Sequence, residues 1–107
     1  MLDSNKVRDM LTVDQIIELC CNLQNSDTFF YDAYGNPIFN TCLDHPDTGN
    51  SWKQYYYPET KLFRCYTRGE SYDVFEMVRR AKGFKEFYDA YKFVVDFFHL
   101  KDDGGFV

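Results

Sequence analysis

CLDHPDTGNSWKQYYYPETKLFRCYTRG, from Cys42 to Gly69, is the stretch that decides how this chain is read. Two residues separate Cys42 from His45, the gap that lets two donors on one tight turn point at a single metal ion. Nineteen residues separate His45 from Cys65, which opens a second turn that Gly69 is fit to relax. The position that closes such a pair is Arg68. Arginine stays protonated and has no lone pair to give a metal. Between the turns, WKQYYY (52–57) and KLFRCY (61–66) are broken by Pro58–Glu59–Thr60, which predicts two strands joined by a turn. Alternation along the first puts Trp52, Gln54 and Tyr56 on one face and Lys53, Tyr55 and Tyr57 on the other.

Working upstream, TFFYDA (28–33) and PIFNT (37–41) flank Gly35–Asn36 and read as a hairpin. TVDQIIELCCNLQ (12–24) reads as a helix, with Thr12 and Gln15 at capping-box spacing and Asp14 well placed in the first turn. Val13, Ile16, Ile17 and Cys20 form its apolar face, which makes Cys20 a small core residue. Residues 4–11 add an earlier helical turn with Val7, Met10 and Leu11 inward. Downstream, Gly69 is expected to end the β region. Ser71 is then expected to cap a helix through Lys82, with Val74, Phe75, Val78 and Ala81 inward, and Gly83 to close it. Residues 84–99 carry Phe84, Phe87, Tyr88, Tyr91, Val94, Val95 and Phe98 at helical spacing, read as a core stripe. The expected fold is α+β, a zinc-ribbon-like small antiparallel sheet flanked by an N-terminal helix and two C-terminal helices. Residues 1–100 form the domain and 101–107 a tail or linker.

Composition narrows the function classes. The chain has 107 residues, enough for one small domain with a thin core. Its 20% aromatic content suits dense packing, and aromatics are also what bases stack on, so composition alone does not separate the two uses. The net charge of −5 argues against a simple polyanion binder. It is unevenly spread: residues 1–50 carry two basic and eight acidic side chains, residues 51–82 seven and four, residues 83–107 three and five. A basic middle therefore lies between acidic ends. No apolar run is long enough for a membrane span, and the polar start lacks a signal peptide or lipidation signal, so a cytoplasmic location is expected. Thiols stay reduced there, and the four cysteines read as core residues or metal ligands before disulfides.

The order of these features resembles the N-terminal zinc-binding domain of bacterial and phage DNA primases. The residues that carry the resemblance are Cys42-x-x-His45, Ser51–Trp52, Phe63-Arg64-Cys65-Tyr66 and Gly69, then SYDVFEMVRRAKGFKEFYDAYKFV with Asp73–Val74 opening one helix and Gly83 preceding the next. TVDQIIELC resembles the helix before the ribbon, and the likeness spans roughly residues 7–98. The departure is Arg68, where the family has its fourth ligand. The resemblance implies a non-catalytic, cytoplasmic module of a phage or mobile element that engages single-stranded DNA template during primer synthesis in DNA replication. Its partners are a primase polymerase domain or a replicative helicase. Polymerisation belongs to a separate magnesium-binding domain, whose acidic constellation is not seen in these residues.

Two readings of the opening stretch stand side by side. In one, zinc is held by Cys42, His45 and Cys65 and completed by water or by Cys20, Cys21, Asp44, Asp47, Glu70 or His99. In the other no metal binds, aromatic packing holds the turns together, and Arg68 pairs with Asp44 or Asp47. For nucleic acid, Tyr55 and Tyr57 form a stacking platform, with Lys53, Lys61, Arg64 and Arg68 meeting phosphates. The rival is a metal-free scaffold that docks a helicase or polymerase subunit through the acidic ends. A metallohydrolase is disfavoured, because no general base stands at a useful spacing.

Overall fold

Residues 3–40, 53–66 and 68–100 are described by the computed structural model. Two short helices come first, α1 (Ser4–Met10) and α2 (Val13–Gln24). Both begin on a side chain that satisfies otherwise unpaired backbone donors. Asp3 accepts from the Asn5 N–H at 2.8 Å. At α2 the capping box forms as the spacing predicts: Thr12 Oγ1 accepts from the Gln15 N–H at 3.2 Å and Gln15 Oε1 from the Thr12 N–H at 2.9 Å.

Five antiparallel strands follow in sequence order, each paired with the next: β1 (Phe30–Tyr31), β2 (Pro37–Phe39), β3 (Gln54–Tyr57), β4 (Leu62–Cys65) and β5 (Glu70–Tyr72). The β1–β2 hairpin turns where Gly35–Asn36 predicts it, with Gly35 at φ 85°. Asp32 fixes that turn by accepting from the Tyr34 and Asn36 N–H groups at 2.8 and 2.9 Å.

The fifth strand corrects the expectation that Gly69 ends the β region. Gly69, at φ 69°, reverses the chain with its N–H on the Cys65 carbonyl at 2.8 Å. Phe63 then faces Tyr72, Arg64 faces Ser71 and Cys65 faces Glu70. Ser71 is thus a strand residue and not a cap. Asp73 caps α3 (Val74–Lys82) instead, accepting from the Glu76 N–H at 3.0 Å. Tyr72 is buried and stacks on Phe63, and that packing outweighs a serine's preference for helix starts. Gly83 ends α3 as expected, and α4 runs Phe87–Phe97.

Alternation decides the two faces of the sheet. Phe39, Gln54, Tyr56, Phe63, Cys65 and Tyr72 are buried, and the apolar ones join one core with residues of all four helices. Ile38, Tyr55, Tyr57, Leu62 and Arg64 point the other way and stay partly exposed. The result is the α+β arrangement of a small antiparallel sheet with helices before and after it.

The helix faces differ from the expected ones in detail. Leu19 and Met77 belong to the core, whereas Val13, Ile17, Met10 and Ala81 are only half-buried. Phe87 and Tyr88 are 50% and 52% exposed, although the Phe87 ring meets the core residue Phe75 edge-on at 5.3 Å. Among the described residues no helix is long and apolar enough to cross a membrane. The expected tail, 101–107, lies outside the described residues.

Candidate nucleic-acid interface

On the face of the sheet away from the core, the outward positions of β3 and β4 gather aromatic rings. The Tyr55 and Tyr57 rings lie 6.2 Å apart and nearly parallel, and Tyr66 meets Tyr55 edge-on at 4.9 Å. The Tyr57 and Tyr66 hydroxyls share a hydrogen bond of 2.6 Å. Arg64 completes the group, its guanidinium 5.5 Å from the Tyr66 ring centre and its Nη1 donating to Ser71 Oγ at 3.4 Å. Facing this cluster across an open cleft of about 640 Å³ are Lys53 and the β1–β2 turn, with Asp32, Tyr34 and Asn36. That volume is in the range of small-ligand sites.

The polar groups of the cleft are set by short-range contacts. Burial pushes the Tyr57 hydroxyl up to about 12, helped by the Tyr66 hydrogen bond and the nearby Asp32 charge. Tyr57 is therefore a neutral hydrogen-bonding group at neutral pH. The Asp32 carboxyl is held below its usual range, first by the hydrogen bond from Asn36 Nδ2 and then by backbone N–H groups of its own turn. Those bonds occupy its oxygens, so Asp32 builds the turn and is not placed as a free base. Among the described residues no nucleophile–base pair lines the cleft. The arrangement offers flat rings, two cations and hydroxyls, which suits binding.

Of the residues expected to meet nucleic acid, Lys53, Tyr55 and Tyr57 line the cleft, and Arg64 sits on its Tyr66 wall. Lys61 is placed elsewhere: its side chain turns to α1 and Nζ donates to the Leu11 carbonyl at 3.4 Å. Arg68 is exposed in the β4–β5 turn, and its charge adds to the hydrogen bond from Arg80 in lowering the Glu70 carboxyl. The rest of the basic middle is engaged by groups of the chain itself. Arg79 bonds Glu76 through Nε at 2.7 Å and Nη2 at 2.9 Å. Arg80 bonds Glu76 at 2.9 Å, pairs with Glu70 and lies over the Tyr72 ring. Lys82 lies over the Phe93 ring.

Tyr66 and Tyr34 are absent from the residues expected from the sequence. Tyr66 had a readable signal, because alternation in KLFRCY puts Arg64 and Tyr66 on the same face. Tyr34, 90% exposed at the hairpin tip, has no such pattern and joins the cleft only through the fold.

Of the three expected zinc donors, Cys42 and His45 lie outside the described residues, as do Asp44 and Asp47. Cys65 is fully buried and disulfide-bonded, while Cys20 and Cys21 are free thiols. This departs from the expectation that every thiol stays reduced. A sulfur in a disulfide is not a thiolate and does not ligate zinc. Among the described residues no group of three His, Cys, Asp or Glu side chains is placed to hold a metal ion. Of the other candidate donors, Cys20 is buried in the core and Glu70 is engaged by Arg80.

No family model matches the chain, and no solved structure matches it. It is similar to the SPbeta prophage-derived uncharacterized protein YorJ of Bacillus subtilis (strain 168), 43% identical over 84 residues. The match takes in 78% of this chain and 22% of that protein, so the chain spans about a fifth of its relative's length.

Proposed function

We propose that this chain is a non-catalytic, primase-type module that holds single-stranded DNA template across the tyrosine cleft during primer synthesis in DNA replication. The observation that carries the reading is the cluster of Tyr55, Tyr57 and Tyr66 on the open sheet face, with Lys53 and Arg64 beside it. Rings on a sheet surface accept any base by stacking, at about 1–3 kcal/mol per base, and adjacent cations take the phosphates. Single strands fit better than duplex, because paired bases keep their faces to each other.

Two further points support it. The primase-like order of motifs runs through this region, since β3 and β4 are the strand pair between the two metal-site turns of that family. The prophage origin of the relative fits a replication module of a phage or mobile element. A primase polymerase domain or a replicative helicase is the partner class, and the cytoplasm the location, that go with this reading. Zinc at Cys42, His45 and Cys65 goes with this reading for the reduced protein. Strand binding at the cleft uses none of these three residues.

The test is the affinity of a fluorescent oligothymidine measured against salt. Replacing Lys53 and Arg64 together by alanine removes two phosphate contacts and flattens the slope of log K against log salt by about 1.4. Tyr55→Ala weakens binding by about 5- to 150-fold and leaves the slope alone. A double variant with unchanged affinity and slope sinks the proposal.

A further inference from the structure

A second surface runs along α2 and shares no residue with the tyrosine cleft. Ile17, Glu18 and Cys21 lie three, four and seven residues beyond Asp14 and so form one stripe with it on the helix. Phe29 and Phe97 stand beside the stripe and close it into an open groove of about 670 Å³. Its floor is apolar, for Ile17, Phe29 and Phe97 pack against the core yet are only partly buried. From Asp14 to Asn25 the lined part of the helix runs about 16 Å, three turns.

The rim is of one sign. Asp14, Glu18 and Asp27 line the groove, and among the described residues no lysine or arginine does. Among the described residues none of the three is in an ion pair. Asp14 has a local reason to be there, in the first turn of α2 where the helix dipole favours a negative charge. Glu18 in mid-helix has none. Asp27, just past the C-terminal end, is on the side where that dipole opposes it. The cluster is not placed to chelate a cation, and three carboxylates repel phosphates.

The geometry points to a docking groove for a basic amphipathic segment of a partner protein, with its apolar side chains on Ile17, Phe29 and Phe97 and its lysines or arginines on Asp14, Glu18 and Asp27. Apolar anchors at helical spacing flanked by cations are how a helix lies in such a groove. The complementary charge sets orientation and speeds encounter more than it adds affinity. Cys21 supplies a reporter on the groove floor: it is half-buried, whereas neighbouring Cys20 is only 1% exposed. Burial, with Asp27 adding to it, keeps the Cys21 thiol protonated and slow to react, so occlusion registers as a further drop in its alkylation.

The experiment uses two synthetic helical peptides, one of leucine and lysine and one of leucine and glutamate in the same order. Anisotropy reports binding. Tandem mass spectrometry reports the rate at which iodoacetamide alkylates Cys21 as distinct from Cys20. The leucine–lysine peptide is expected to bind, more weakly as salt rises, and to slow Cys21 alkylation several-fold. The isosteric triple variant Asp14→Asn, Glu18→Gln, Asp27→Asn changes charge but not shape, and is expected to weaken that peptide about tenfold. Equal binding of the leucine–glutamate peptide overturns the inference. So does an unweakened triple variant, or a Cys21 that reacts in the complex as fast as in the free chain.

Discussion

The hydroxyls of Tyr57 and Tyr66 meet at 2.6 Å, tying the last residue of β3 to the residue just after β4. These two residues are not partners in the strand ladder, where Tyr57 faces Leu62 and the Tyr66 N–H bonds the Lys53 carbonyl at 3.0 Å. The side-chain bond runs diagonally over the open face and holds both rings against Tyr55. A binding surface built this way is ordered before any ligand arrives, which lowers the entropy lost on binding.

Two tyrosines raised by burial make the fold sensitive to alkali. Burial raises the Tyr57 hydroxyl to about 12, and burial raises the core residue Tyr56 to about 12 as well, from an ordinary value of 10. Between these values the unfolded chain has lost protons that the folded chain keeps. The stabilisation is therefore complete below pH 10 and is lost as pH rises toward 12. Melting temperature followed over that interval should fall, and Tyr57→Phe should flatten the fall. An unaltered profile in the variant places the loss elsewhere.

Acid acts through the first turn of α3. The hydrogen bond from Arg79 brings the Glu76 carboxyl down to about 2, with Arg80 adding to it. Glu76 is ordinarily near 4.5, so its contribution is present above that pH and disappears as pH falls toward 2. Glu76→Gln should lower the melting temperature at neutral pH and leave a shallower decline below 4.5. Identical acid profiles for the two proteins count against the ion-pair network as an anchor of α3.

The buried amide of Gln54 gives a sharper test of packing. Its Oε1 accepts from the Tyr72 hydroxyl at 2.7 Å, while its Nε2 has no hydrogen-bond partner among the described residues. Tyr72→Phe leaves the amide wholly unsatisfied and should cost about 1–3 kcal/mol in denaturant unfolding. Adding Gln54→Leu removes the stranded polar atoms and should recover most of that loss. A double variant no more stable than the single one shows that shape at this site matters more than polarity.

Metal content separates two states of Cys65. The oxidised protein, with this sulfur in its disulfide, should hold no zinc through it. If the primase likeness extends to the ion, protein purified under reduction carries about one zinc per chain by mass spectrometry, and Cys65→Ser loses it. A reduced, folded protein without zinc leaves the Cys65 turn to be held by packing and by the Gly69 hydrogen bond.

How much could be read in advance depended on how far each feature reaches. The capping box at Thr12, the turn at Gly35–Asn36 and the outward pair Tyr55 and Tyr57 involve neighbours within a few residues, and each is where the pattern puts it. Ser71 does not cap a helix because a strand competes for it: Tyr72 gains more by stacking on Phe63 than Ser71 gains as a cap. Lys61 looked like one more cation of the middle segment, but it sits at φ 62° in the β3–β4 turn and reaches back to Leu11.

By itself, the sequence determined the four helices, the first four strands and the two faces of β3, since steric preference and hydrogen bonding over a few residues dictate a period of 2 or 3.6. The tertiary structure alone decided what the charges do. Arg79 and Arg80 are taken up by Glu70 and Glu76, which leaves Lys53 and Arg64 beside the tyrosines. Among the described residues it also left Asp14, Glu18 and Asp27 without a counter-ion along one groove. Coulombic pairing depends on distance in space, and that distance exists only once β5 has folded back on β4 and α4 has packed on α3.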